Sequence, residues 1–118
     1  MHKLIISAAI MTLFAAGGAY AQNVSIVDQL GVGNAQGTFQ SGNNFSYTGQ
    51  FGAFNGSVTT QQGANAATTV QVGAGNTSFT DQLGVVNFST TLQGGVAGHF
   101  SDTQQAGAGN VSLTVQSD

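Results

Sequence analysis

Glutamine recurs in this chain at a nearly fixed interval, and that interval constrains the fold more than any other feature. Gln29, Gln40, Gln50, Gln61, Gln71, Gln82, Gln93, Gln105 and Gln116 lie about eleven residues apart. Gly follows each of the first eight by two residues, at Gly31, Gly42, Gly52, Gly63, Gly73, Gly84, Gly95 and Gly107. In five copies Asn follows by five residues, at Asn34, Asn55, Asn76, Asn87 and Asn110. The copies beginning at Gln40, Gln61 and Gln93 keep the Gly but shift or lose the Asn, to Asn44, Asn65 and Gly98, and read as degenerate. A fixed period of this kind marks a repeat architecture, in which each unit completes its packing only against its neighbours.

Between the Gly-Asn segments the residues alternate with period two, as a strand requires. Asn110-Val111-Ser112-Leu113-Thr114-Val115-Gln116 puts Asn, Ser, Thr and Gln on one face and Val, Leu and Val on the other. Thr stands two residues before Gln in every copy except the first, which has Val27. The glycines supply unusual backbone dihedrals for corners, and the absence of Pro leaves every N–H free for a ladder. The pattern predicts an all-β fold of nine short strands and eight corners. Two strands and two corners would form one coil, giving a β-solenoid of about 4.5 coils stacked at roughly 4.8 Å. Like residues then fall on like, and amide side chains at that spacing form hydrogen-bonded columns. An up-and-down barrel gives no reason to repeat one residue at one depth.

The N-terminal residues have a different grammar. His2 and Lys3 precede an apolar stretch from Leu4 to Phe14, and Ala19-Tyr20-Ala21 forms a small-residue cleavage site. Residues 1–21 read as a secretory signal peptide cleaved between Ala21 and Gln22, and residues 22–118 as the repeat domain. The apolar run is short for a membrane span. Lys3 is the chain's only basic residue besides histidine, against four Asp, for a net charge of −3. Removing the leader removes all Lys and Arg, which argues against nucleic-acid binding. Without Cys, neither a disulfide framework nor a thiolate metal site is possible.

The segments Gln29-x-Gly31-x-Gly33-Asn34, Gln71-x-Gly73-x-Gly75-Asn76 and Gln105-x-Gly107-x-Gly109-Asn110, each followed by the next Gln, resemble the curlin repeat. Curlins are subunits of curli, the functional amyloid fibres of bacterial surfaces. The resemblance covers nearly all of residues 22–118. It implies export in an unfolded state through a dedicated outer-membrane pore and nucleation on a partner subunit. It further implies growth into an extracellular, cell-surface fibre (a fimbrium or pilus) used for adhesion and biofilm matrix.

The residues leave open which strand face is inside. Burying Phe79, Leu113, Val115 and their neighbours would contribute roughly 1.5 to 3 kcal/mol each. Asp28, Asp81 and Asp102 lie on that same face, and after loss of the leader no Lys or Arg remains to pair with them. The resemblance implies the opposite orientation, with Gln and Asn inside and the apolar face holding fibres side by side. Exposure of Phe79, Leu113 and Val115 against Gln82 and Gln116 separates the two.

The remaining features have bland explanations. Six Asn-x-Ser sequons arise wherever Asn and Ser occupy adjacent columns of one face. The Gly-x-Gly pairs lack a third Gly, a following helix and a Lys, so they read as corners rather than a phosphate loop. His99 falls where the Asn column would pass and reflects a one-residue insertion in the preceding corner rather than a metal ligand. The aspartates are too dispersed for a calcium loop, and no nucleophile stands beside a base, so neither enzymatic activity nor a cofactor is expected. An alternative function is a monomeric β-solenoid binding module whose Thr ladder faces water and binds a regular surface such as ice.

Overall fold

The computed structural model describes residues 22–118; residues 1–21, which the sequence reads as a signal peptide, lie outside the described residues. The described chain contains seven strands and no helix: β1 (Val24–Val32), β2 (Ala35–Gly42), β3 (Phe45–Ala53), β4 (Gly56–Ala74), β5 (Thr77–Gly95), β6 (Phe100–Ala108) and β7 (Val111–Ser117). They form a β-solenoid of about four turns. Every pairing is parallel: β1 on β3, β2 on β4, β3 on β4, β4 on β5, β5 on β6 and β5 on β7.

The strand count differs from the nine expected because two corners do not interrupt pairing. β4 passes through Gln62-Gly63-Ala64 and β5 through Leu83-Gly84-Val85 while their pairing continues, with a one-residue shift of register after Ala64 and Val85. Each long strand therefore serves two walls. One wall stacks β1, β3, the second half of β4, the second half of β5, and β7. The facing wall stacks β2, the first half of β4, the first half of β5, and β6. The register is like on like: Gln29 lies beside Gln50, Gln50 beside Gln71, Gln71 beside Gln93 and Gln93 beside Gln116.

The space between the walls is polar. Gln50, Gln61 and Gln71 are 0% exposed and Gln82 is 1% exposed, whereas Phe79, Leu113 and Val115 are 41%, 69% and 62% exposed. The orientation left open by the sequence is thus decided for the Gln face inside. Ala67 is the only buried apolar side chain among the described residues, and it occupies a position that holds Ser46 and Ser89 in adjacent rungs. Asp28, Asp81 and Asp102 point outward into water, so no carboxylate is buried without a partner.

Glycine two residues after Gln is compulsory for a steric reason. A Cβ on Gly73 would fall 1.8 Å from the carbonyl oxygen of Gly95 in the next rung, and one on Gly63 would fall 1.8 Å from that of Gly84. Both also have φ above +110°, a region closed to most L residues. At the glycine column a side chain would therefore point along the axis into the next rung.

Candidate functional site: the amide columns and open rungs

Six of the inward glutamines, Gln40, Gln50, Gln61, Gln71, Gln82 and Gln93, do two things. Nε2 of each donates to Oε1 of the Gln one rung further along the chain, and also to a backbone carbonyl of the facing wall. In the first column Gln29 donates to Gln50 at 2.5 Å, Gln50 to Gln71 at 2.8 Å, Gln71 to Gln93 at 2.7 Å and Gln93 to Gln116 at 2.8 Å. In the second, Gln40 donates to Gln61 at 2.8 Å, Gln61 to Gln82 at 2.8 Å and Gln82 to Gln105 at 2.7 Å. Bonds across the interior include Gln71 to the Gly56 carbonyl at 2.9 Å and Gln82 to the Ala66 carbonyl at 3.1 Å. A fully satisfied polar network of this kind is compatible with burial, and each bond stabilises by about 0.5 to 1.5 kcal/mol net.

The geometry explains why the repeat selects an amide. Bond lengths place the O and N of a primary amide about 2.2 Å apart. Subtracted from a rung spacing of about 4.8 Å, this leaves a gap close to one hydrogen bond. A hydroxyl has a single heavy atom and cannot span the step. Accordingly, Thr48, Thr69, Thr91, Ser57, Ser78 and Ser101 are buried in line, yet their hydroxyls bond to no other protein group. The Ser and Thr columns pack, and the amide columns bond.

Asn holds the corners. At one corner Asn34, Asn55 and Asn76 stand in line, with the backbone N–H of each accepted by Oδ1 of the one before, at 3.1 Å for both Asn55 and Asn76. The N–H of His99 continues the line, donating to Asn76 Oδ1 at 3.1 Å. His99 thus takes the place of an Asn, and its ring Nε2 lies 2.9 Å from the Gly94 carbonyl and 3.3 Å from Asp118 Oδ1. At the other corner the line is Asn23, Asn44, Asn65, Asn87 and Asn110. Reading Asn44 and Asn65 as degenerate is corrected: their corners are one residue shorter, and the ladder passes through them unbroken. The recurrence of Asn six residues before the next Gln, rather than its distance from the preceding Gln, is the signal that identifies them.

The longer corners place one residue at positive φ just before Asn. Gly33, Gly75 and Gly109 fill it three times, but Phe54 and Val86 occupy it with φ of 55° and 59°. Val86 is also the residue inserted where the register shifts opposite Ala64/Asn65, and a β-branched residue is poorly suited to this conformation.

The outer faces carry the large apolar side chains. Leu30, Phe39, Phe51, Leu92, Leu113 and Val115 are all exposed, and Phe79 and Phe100 pack together with ring centroids 5.9 Å apart. Asp28 accepts a hydrogen bond from the Tyr47 hydroxyl at 3.3 Å, tying the first rung to the second on the outside. Partial burial, and then the charge and hydrogen bond of Asp28, raise the Tyr47 pKa above its ordinary 10.0. The Thr column required by the surface-binding alternative is inside: Thr48, Thr59, Thr69 and Thr91 are at most 1% exposed.

The ends are the chemically incomplete part. β1 and β2 each pair along one edge only, as do β6 and β7 at the other end. The amide columns give these ends opposite character. At the β1–β2 end, Oε1 of Gln29 and Gln40 accepts no bond among the described residues. At the β6–β7 end, Gln105 and Gln116 each use Nε2 once, on the Phe88 and Phe100 carbonyls, and have a second N–H to give. Comparison with known proteins returns no matching family model, no matching curated protein and no matching solved structure.

Proposed function

We propose that the chain is a secreted structural subunit that self-assembles head-to-tail into curli-like amyloid fibres for cell adhesion and biofilm matrix. The supporting observation is the pair of open parallel ends with complementary amide polarity, acceptors at one and donors at the other. Open strand edges are templates unless charge, Pro or a cap blocks them. Edge pairing between such ends is heterologous and gives an open filament rather than a closed ring. Donor-to-acceptor polarity favours head-to-tail over head-to-head, which would set acceptor against acceptor.

The apolar outer faces fit the same reading, since exposed Phe, Leu and Val in rows provide lateral adhesion between filaments. By the resemblance to curlins, a nucleating partner would start the fibre and a dedicated outer-membrane pore would deliver the chain. Incubation of the purified secreted protein, followed by an amyloid dye and negative-stain microscopy, tests the proposal. The expected result is dye-positive fibres with a reflection near 4.8 Å along the axis. Protein that stays monomeric for days without binding dye contradicts it.

A further inference from the structure

The solenoid contains an odd number of half-coils, and this fixes how two copies meet. β7 begins a fifth rung on one wall, while the facing wall ends one half-coil earlier at β6. The β6–β7 end is therefore stepped. If a second copy arrived in the same orientation, its β1 would land on β7 and its β2 would stand over β6 with one strand missing between them. A row of β6 backbone groups would be left unpaired at every junction, at a cost for each group shut away from water.

Resting on the proposed self-assembly, we infer that successive copies are rotated by half a turn about the fibre axis, so that β1 of one copy stacks on β6 of the last and β2 stacks on β7. The two walls run in opposite directions around the coil, and a half-turn exchanges them while preserving direction, so both new pairings are parallel. Both walls also carry the same inward order of Ser or its replacement, Thr or Val, then Gln. Aligning Gln29 with Gln105 sets Val27 beside Thr103, Ser25 beside Ser101 and Gly31 beside Gly107. Aligning Gln40 with Gln116 sets Thr38 beside Thr114. The free N–H groups of Gln105 and Gln116 then meet the free Oε1 atoms of Gln29 and Gln40, and both amide columns cross the junction unbroken. A side of the fibre consequently shows the two different outer walls in alternation from copy to copy.

The chain has no Cys, so introduced thiols report the junction cleanly. The full chain is expressed as three single variants on exposed outward positions, Asp28→Cys, Gln104→Cys and Val115→Cys, which are assembled in pairwise mixtures and oxidised. The half-turn junction puts residue 28 of one copy beside residue 104 of the next. The expected result is a disulfide-linked heterodimer from Asp28→Cys with Gln104→Cys and little from Asp28→Cys with Val115→Cys. The reverse pattern, or fibres in which neither pair links, overturns the half-turn while leaving the proposed fibre standing. Absence of fibres overturns both. Helical reconstruction of wild-type fibres gives an independent reading: a rise of about 22 Å per subunit, from four and a half rungs at the inter-strand spacing, with a rotation close to a half-turn.

Discussion

The middle rungs and the end rungs of this solenoid carry the same Gln columns, and at those columns they differ in how many neighbours they have. Gln71, in the middle, accepts from Gln50, donates to Gln93 and donates across to the Gly56 carbonyl, with no exposure at all. Gln116, at the end, accepts from Gln93 and donates across to the Phe100 carbonyl, and its column then stops. An end is a middle that lacks one partner. In the proposed fibre, the bond that joins copies would be the same one that stacks rungs within a chain.

Charge provides the largest test of that difference. Gln71→Glu replaces a double donor with a group that can only accept, in a site without a nearby cation, and the expected loss is about 3 to 5 kcal/mol in urea or thermal unfolding. Burial would hold the new carboxyl's folded pKa above its unfolded value of about 4.3. The destabilisation is therefore full above the folded pKa and fades as pH falls through it toward the unfolded one. Gln116→Glu keeps the bond from Gln93 and has water on one side, so a loss of about 1 kcal/mol or less is expected. Equal losses at the two positions would break the comparison.

The glycine column gives the next largest contrast. Gly73→Ala drives a Cβ into the Gly95 carbonyl and is expected to cost about 3 kcal/mol or more, read by the urea midpoint. Gly107 is the last of its column; a Cβ there meets nothing nearer than Asn110 Nδ2 at 3.7 Å. Gly107→Ala leaves only the strain of a φ of 113°, about 1 to 3 kcal/mol. In a fibre the same methyl group faces the next copy, so Gly107→Ala is expected to yield a folded monomer whose fibre elongation, followed by dye fluorescence, falls severely.

Much of this was legible in the sequence, and the reasons are specific. The Gln period and the Thr two residues before every Gln but the first carry the strands, the coil and the register, because parallel stacking places equal residues at equal depth. Face orientation was not legible: hydrophobic transfer and aspartate desolvation pull in opposite directions on the outer face, and neither outweighs the other by counting. The amide ladder decides it, and it is visible only once the rung spacing is set against the length of an amide. Asn44 and Asn65 look degenerate in the sequence because corner length varies while the spacing from Asn to the following Gln does not. The long strands β4 and β5 are not legible in the sequence because pairing can continue around a corner, which no turn residue announces.

The smallest expected effect concerns the corner where the sequence departs from its own rule. Val86 holds a φ of 59° where Gly33, Gly75 and Gly109 stand in equivalent corners. Val86→Gly relieves about 1 to 2 kcal/mol of left-handed strain and gives back about 0.5 to 1 kcal/mol in backbone entropy. A gain in stability of about 0.5 to 1 kcal/mol is expected by thermal unfolding. A loss would mean that Val86 is held by contacts that outweigh the strain.

The most direct test of the amide columns is hydrogen exchange at the glutamine side chains themselves, followed by NMR with assigned Nε2 groups. In the monomer the side-chain amides of Gln50, Gln61, Gln71 and Gln82 should exchange as slowly as the strand backbone around them. Those of Gln105 and Gln116 should exchange faster, and should slow when fibres form. Glutamine amides that exchange at the rate of free side chains throughout, in monomer and fibre alike, would contradict the view that these columns hold the rungs together.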